Sequence, residues 1–181
     1  IFMELKAAEV LIARELIAAR VRVLASEISK KYDGQSLTVI GILRGAVIFM
    51  ADLVREISPS VNVVMEFMKA ASYGASTTSS GKVTISQGTG IAVKGRNILI
   101  VEDIVDTGLT LQHLRGYFKD EGAASVEVCV LLDKRERRVV DVPVEYTGFV
   151  IPDEFVVGYG MDYDQKMRNL PSIHTVRSVS E

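Results

Sequence analysis

The spacing of apolar positions changes along this chain, and each change marks an element. Val10, Ile17, Val21, Leu24 and Ile28 recur at three- to four-residue intervals with one double gap, which predicts an amphipathic helix over residues 9–31, stopped by Gly34. The β-branched run SLTVIGIL (36–43) predicts a strand, broken at Arg44-Gly45. AVIFMADLVREI (46–57) follows as a helix. Its first turns, Ala46 to Ala51, are apolar on every face, so this end is buried or lies at a subunit contact. VNVVMEFM (61–68) is a second strand. SYGASTTSSG (72–81) has no apolar period and reads as a long loop, of the kind that is functional or disordered. KVTIS (82–86) pairs back as a hairpin partner. NILIV (97–101) is a buried strand, TLQHLRGYFKDEG (110–122) a helix stopped by Gly122, and SVEVCVLLD (125–133) another strand. VEYTGFVI (144–151) and IHTVRSV (173–179) are short strands near the end. Alternation of strand and helix through the middle predicts an α/β fold with a mainly parallel sheet.

Bulk properties narrow the function classes. The chain has 181 residues, enough for one domain with a substantial core, and 48% of it is hydrophobic, which argues against disorder. A net charge of −2 gives no electrostatic reason to expect nucleic acid or a membrane as partner. Cys129 stands alone, so no internal disulfide or CxxC zinc site is available, and a reducing cytoplasm is the expected setting. No apolar run reaches the roughly 18 residues of a membrane span. The start, IFMELKAAEV, lacks the features of a signal peptide; beginning at Ile, it is read as trimmed.

The candidate chemistry lies in ILIVEDIVDTGLTL (98–111). Four apolar residues run into two adjacent acids, Glu102 and Asp103. In an open α/β sheet, ligands sit beyond the carboxyl ends of the strands. Two carboxylates there are costly unless they meet donors, and the candidates are the hydroxyls of a cis-diol or a metal ion held through water. DTGLT then opens a helix. Its free N–H groups, with the Thr107 and Thr110 hydroxyls, make an anion cradle, and Gly108 lets the backbone approach closely. A sugar diol beside a phosphate is a phosphorylated ribose. The Gly-rich lysine motif of nucleotide-binding P-loops is absent.

VEDIVDTGLTL closely resembles the 5-phosphoribosyl-1-pyrophosphate (PRPP) motif of type I phosphoribosyltransferases, in its hypoxanthine-guanine branch. The resemblance covers almost the whole chain. ILRGAVIFMADL (42–53) is similar to the family's pyrophosphate loop and helix, SYG (72–74) to the start of its mobile lid, and LLDKRERR (131–138) and the segment from Pro152 to 171 to its purine-binding parts. It implies a Rossmann-like parallel sheet flanked by helices, with core residues about 9–143. A small hood would come from about 144–181 plus the N-terminal residues, and the lid from about 69–82.

The resemblance also implies roles. Glu102 and Asp103 hold the ribose hydroxyls, in part through Mg²⁺. Asp106, Thr107, Gly108, Leu109 and Thr110 hold the 5′-phosphate. Asp106 lies near purine N7, as general base or as an electrostatic partner. Leu43, Arg44, Gly45 and Arg168 bind pyrophosphate, and the Leu43–Arg44 peptide can be cis. Lys134 donates to O6 of the purine, Phe155 stacks on it, and the Val156 backbone meets its edge. Asp162 binds a second Mg²⁺ or the guanine amino group. Ser72 and Tyr73 belong to the lid. Without the resemblance, Leu43-Arg44-Gly45 reads as a strand end, Lys134 as a solvated charge, Phe155 as core, and Asp162 and Arg168 as surface groups. No catalytic role falls to Cys129, His113 or His174.

The expected reaction joins PRPP to hypoxanthine or guanine, giving IMP or GMP and pyrophosphate, in a homodimer or homotetramer. Competing readings are a transferase for xanthine or adenine, an RNA-binding regulator on the same fold, and a nonenzymatic nucleotide-binding domain. Lys134 and Phe155 count against adenine. The acid at 106 and the lack of a basic excess count against the regulator, and Asp106 with the lid segment against the nonenzymatic domain.

Overall fold

Apolar runs without polar alternation need burial on both faces of a sheet. β5 (Asn97–Val105) and β6 (Ser125–Asp133) are such strands, and they pair in parallel. The computed structural model describes residues 4–72 and 83–179. Among these, the large sheet runs in the order β4 (Val83–Gln87), β3 (Asn62–Ser72), β2 (Ser36–Ile42), β5, β6 and β7 (Tyr146–Val150). All neighbours are parallel except β4, which runs back along β3.

The alternation along β5 serves two cores. Leu99 and Val101 pack with Leu24 of α1 (Arg14–Lys31) and Phe49 and Leu53 of α2 (Val47–Glu56). Ile98 and Ile100 pack with Leu111, Leu114 and Phe118 of α3 (Leu109–Asp120). A small antiparallel sheet, in the order β1 (Glu4–Ile12), β9 (Ile173–Val179), β8 (Val156–Val157), stands apart from the large one. Among the described residues no helix is long and apolar enough to cross a membrane.

Three sequence expectations change. Residues 9–12 are not helix: they belong to β1, which pairs with β9, and α1 starts only after the extended Ala13. Pairing across the small sheet overrides the helical spacing, and Val10 is 54% exposed instead of part of a helix face. β5 does not end at Val101. It continues through both acids to Val105 because β6 offers paired backbone as far as Asp133. Finally, β7 is the edge of the large sheet, so the C-terminal segment supplies a core strand as well as the small sheet. At the start of α2, Ala46, Phe49 and Met50 are buried and Val47 is exposed.

One polar cluster sits within the core. Glu127 of β6 is buried; Oε2 accepts hydrogen bonds from Tyr32 Oη at 2.8 Å and Tyr146 Oη at 3.0 Å, and Oε1 meets Lys31 Nζ. It ties the end of α1 to β6 and β7. Burial alone would raise the Glu127 pKa. The hydrogen bonds from Lys31, Tyr32 and Tyr146 outweigh it and hold the carboxyl below its ordinary 4.5. A depressed folded-state value stabilises above the ordinary value and is lost as pH falls through the folded one. Glu127→Ala removes the acceptor that the Tyr32 and Tyr146 hydroxyls share, at about 1–3 kcal/mol each. Urea denaturation should therefore show a loss of roughly 3 kcal/mol at pH 7, shrinking as the pH falls below 4.5.

Candidate active site

The carboxyl ends of the parallel strands lie at one edge, and the segments that follow β2, β5, β6 and β7 carry the residues singled out in the sequence. Glu102 and Asp103 are neighbours on β5, so their side chains leave opposite faces. Glu102 lines a cavity of about 390 Å³ with Asp106, Thr107, Gly108, Thr110 and Arg137. Its Oε2 is buried without a hydrogen-bond partner among the described residues. Burial, and then the Asp103 charge, push its carboxyl well above the ordinary value. Asp103 lies on the other side, against Gly45. Burial raises its pKa to about 6, against the hydrogen bond from the Ile104 N–H at 3.0 Å and the nearby Arg168 charge.

Gly45 has no room for a side chain. A Cβ there would stand 1.8 Å from Asp103 Oδ2, and one on Gly160 would stand 2.2 Å from the Gly45 carbonyl oxygen. The Leu43–Arg44 peptide is cis. Beside it, Gln165 Oε1 accepts from Arg44 Nη1 at 2.9 Å and from Arg168 Nη2 at 3.2 Å. Arg168 also donates to the Gly160 carbonyl at 2.7 Å and pairs with Asp162 at 2.7 Å. Arg44, Arg168 and Asp162 thus gather around the Gly45 backbone as one cluster. Gln165 joins it unforeseen; its position in a turn with φ of 63° gave no sign in the sequence beyond a polar loop.

The turn from β5 into α3 brings 106–110 together. Gly108 has φ of 84°, which favours glycine, and caps α3. Thr107 Oγ1 accepts from Leu109 N at 3.4 Å. Asp106 is held by Arg137 through both oxygens, Nε to Oδ1 at 2.8 Å and Nη2 to Oδ2 at 3.4 Å. Lys134 follows β6, and its N–H donates to the Val105 carbonyl at 3.0 Å, so it stands beside Asp106. Its ammonium meets Asp153 at 3.4 Å. Arg137 and Asp153 are also additions to the residues read from sequence. The signal was present: Lys134 and Arg137 are three apart in a charged run, and the 3₁₀ turn Arg135–Arg137 brings that spacing to one side.

Phe155 is more exposed than the rest. It is 55% open, meets Tyr163 edge-on at 5.9 Å, and lines a separate cavity with Glu9, Val10 and Arg177. Val156 is buried and pairs with Thr175 of β9. Ser72 ends β3, while Tyr73 and the rest of the expected lid up to residue 82 lie outside the described residues.

The oxygen donors suit a hard cation. Glu102 offers an unpartnered carboxylate oxygen, and Asp103 and Asp162 offer two more acids. No group of three ligating side chains that could hold a metal occurs among the described residues. That donor set matches Mg²⁺, which takes one or two carboxylates and completes its shell with water and substrate oxygens.

Residues 9–164 match the family described as phosphoribosyl transferase domain. The chain is 45% identical over 169 residues to the hypoxanthine-guanine phosphoribosyltransferase of Streptococcus pneumoniae, covering 93% of each. It is 47% identical over 171 residues to the hypoxanthine phosphoribosyltransferase of Haemophilus influenzae, covering 93% of this chain and 94% of that one. A crystal structure of a hypoxanthine-guanine phosphoribosyltransferase from Bacillus anthracis superposes with a TM-score of 0.89 at 40% identity, over 96% of this chain and all of that one.

Proposed function

The chain belongs to the phosphoribosyl transferase domain family, on its hypoxanthine-guanine branch, and from that premise we propose that this site performs 6-oxopurine salvage. N9 of hypoxanthine or guanine bonds to C1′ of PRPP as the bond from C1′ to pyrophosphate breaks, giving IMP or GMP. The observation that carries the reading is the buried, unpartnered Glu102 oxygen in the same cavity as the 106–110 turn. A diol donor and a phosphate are what those two features ask for.

Each group has a task. The N–H groups at the start of α3, with Thr107 and Thr110, take the 5′-phosphate. Glu102 and Asp103 take the ribose side. Glu102 and Asp103 would share in holding Mg²⁺ together with substrate oxygens, and the ion would supply positive charge for the departing pyrophosphate. Leu43, Arg44, Gly45 and Arg168 hold that pyrophosphate. Asp106 accepts the N7 proton as N9 attacks. Lys134 donates to O6, Phe155 stacks on the ring, and the Val156 backbone and Asp162 complete the base site. Most of the barrier reduction comes from positioning and fixed charge. The proposal includes a cytoplasmic homodimer or homotetramer, with the exposed Val47 of α2 at a subunit contact.

The test is a spectrophotometric assay with PRPP and Mg²⁺, run separately with hypoxanthine, guanine, xanthine, adenine and uracil. Turnover is expected with hypoxanthine, guanine or both. Adenine presents an amine to Lys134 and leaves buried donors facing each other, a mismatch worth about 10⁴ in discrimination. No turnover of any base, with PRPP still bound, would overturn the proposal.

A further inference from the structure

Four charged side chains form an unbroken line through three segments of the site: Asp106, Arg137, Asp153 and Lys134. Arg137 engages both Asp106 oxygens, at 2.8 and 3.4 Å. Its Nη1 reaches Asp153 Oδ2 at 3.5 Å, and Asp153 Oδ1 reaches Lys134 Nζ at 3.4 Å. The sheet holds none of these contacts. Asp106 follows β5, Arg137 lies in the turn after β6, and Asp153 lies in the loop after β7.

We infer that Arg137 is a positioning residue for the transfer, setting the Asp106 carboxylate and, through Asp153, the Lys134 ammonium to the spacing of purine N7 and O6. The inference rests on the proposed reading of this site. A guanidinium bonded to both oxygens of a carboxylate fixes its plane as well as its place, which a single charge cannot do. Asp153 shares one carboxylate between two cations and so relates Lys134 to that plane. The side chain of Lys134 is only 12% exposed, so its ammonium has few alternatives. Arg137, Asp153 and Asp106 are 43–48% exposed, and ion pairs so open to solvent add little to folding stability. Their use is therefore geometric: they align the two groups that meet opposite ends of the same purine edge.

The experiment uses Arg137→Gln, Arg137→Lys, Asp153→Asn and the Arg137→Gln/Asp153→Asn double variant, with steady-state kinetics in both substrates and thermal melts. The Gln variant is expected to lose about tenfold in kcat/KM for the purine, the loss of a bond or two of charged hydrogen bonding. The KM for PRPP should stay within about twofold of wild type and the Tm within a degree or two. Arg137→Lys keeps the charge but not the fork, so it should recover only part of the loss. The double variant should be no worse than the worse single one, because both break one line. Additive losses, a PRPP KM that rises while the purine KM stays fixed, or a fall in Tm that tracks the fall in rate would each overturn the inference. Wild-type protein inactive on both purines would overturn the functional reading and this inference together; an active wild type with any of the other outcomes overturns only this inference.

Discussion

Asp106→Asn is expected to lower kcat by about 10²- to 10⁴-fold, the span that general-base catalysis supplies, while the KM for PRPP moves little. Asparagine keeps the shape of the side chain and can still accept one hydrogen bond from Arg137. It cannot take up the purine N7 proton. The proposed phosphate cradle draws on the backbone at the start of α3 and the threonine hydroxyls, and the substitution leaves those in place. Steady-state kinetics with hypoxanthine and guanine would show the split. A fall in PRPP affinity as large as the fall in kcat would instead make Asp106 a binding group.

Asp103→Asn should exchange activity for stability. Burial holds the Asp103 pKa at about 6, above its ordinary 3.8. Between those values the folded protein binds the proton more tightly than the unfolded chain, so stability falls as pH rises through that window and stays low above it. The shift of roughly two units corresponds to at most about 3 kcal/mol. Asparagine retains an oxygen for the Ile104 N–H and carries no charge. Its gain in stability over wild type should therefore be larger at pH 8 than at pH 5, as read from denaturant midpoints. Turnover should fall about ten- to hundredfold, since a charged hydrogen bond to the ribose side is worth about 1.5–3 kcal/mol. A variant less stable than wild type at pH 8 would show that the acid is compensated in the free protein.

Where one local signal dominated, the sequence was enough. The nine residues of β6 and the Asp-Thr-Gly turn that opens α3 are such places, since a doubly buried strand and a helix-opening turn leave few alternatives. Val10 was misleading because its helical spacing is real but its partner, His174, lies at the far end of the chain. Arg137 was legible only as a spacing, three residues after Lys134, and its contacts were not, for a related reason. A charge run carries no mark of which member meets acids from other segments, and only the loops after β6 and β7 bring Arg137, Asp106 and Asp153 together. Gln165 needed the unusual backbone around it, which polar composition alone does not report.

The contact of Gly45 with Asp103 on one side and Gly160 on the other has a bearing on how this enzyme can change. Any residue larger than glycine at 45 meets the Asp103 carboxylate, the acid proposed for the ribose side, and any at 160 meets the Gly45 carbonyl. An inhibitor that draws its affinity from the Gly45 main chain would therefore grip a feature that point mutation at 45 or 160 cannot remodel without displacing Asp103 or the Gly45 carbonyl, which, on the proposed roles, narrows the routes to resistance.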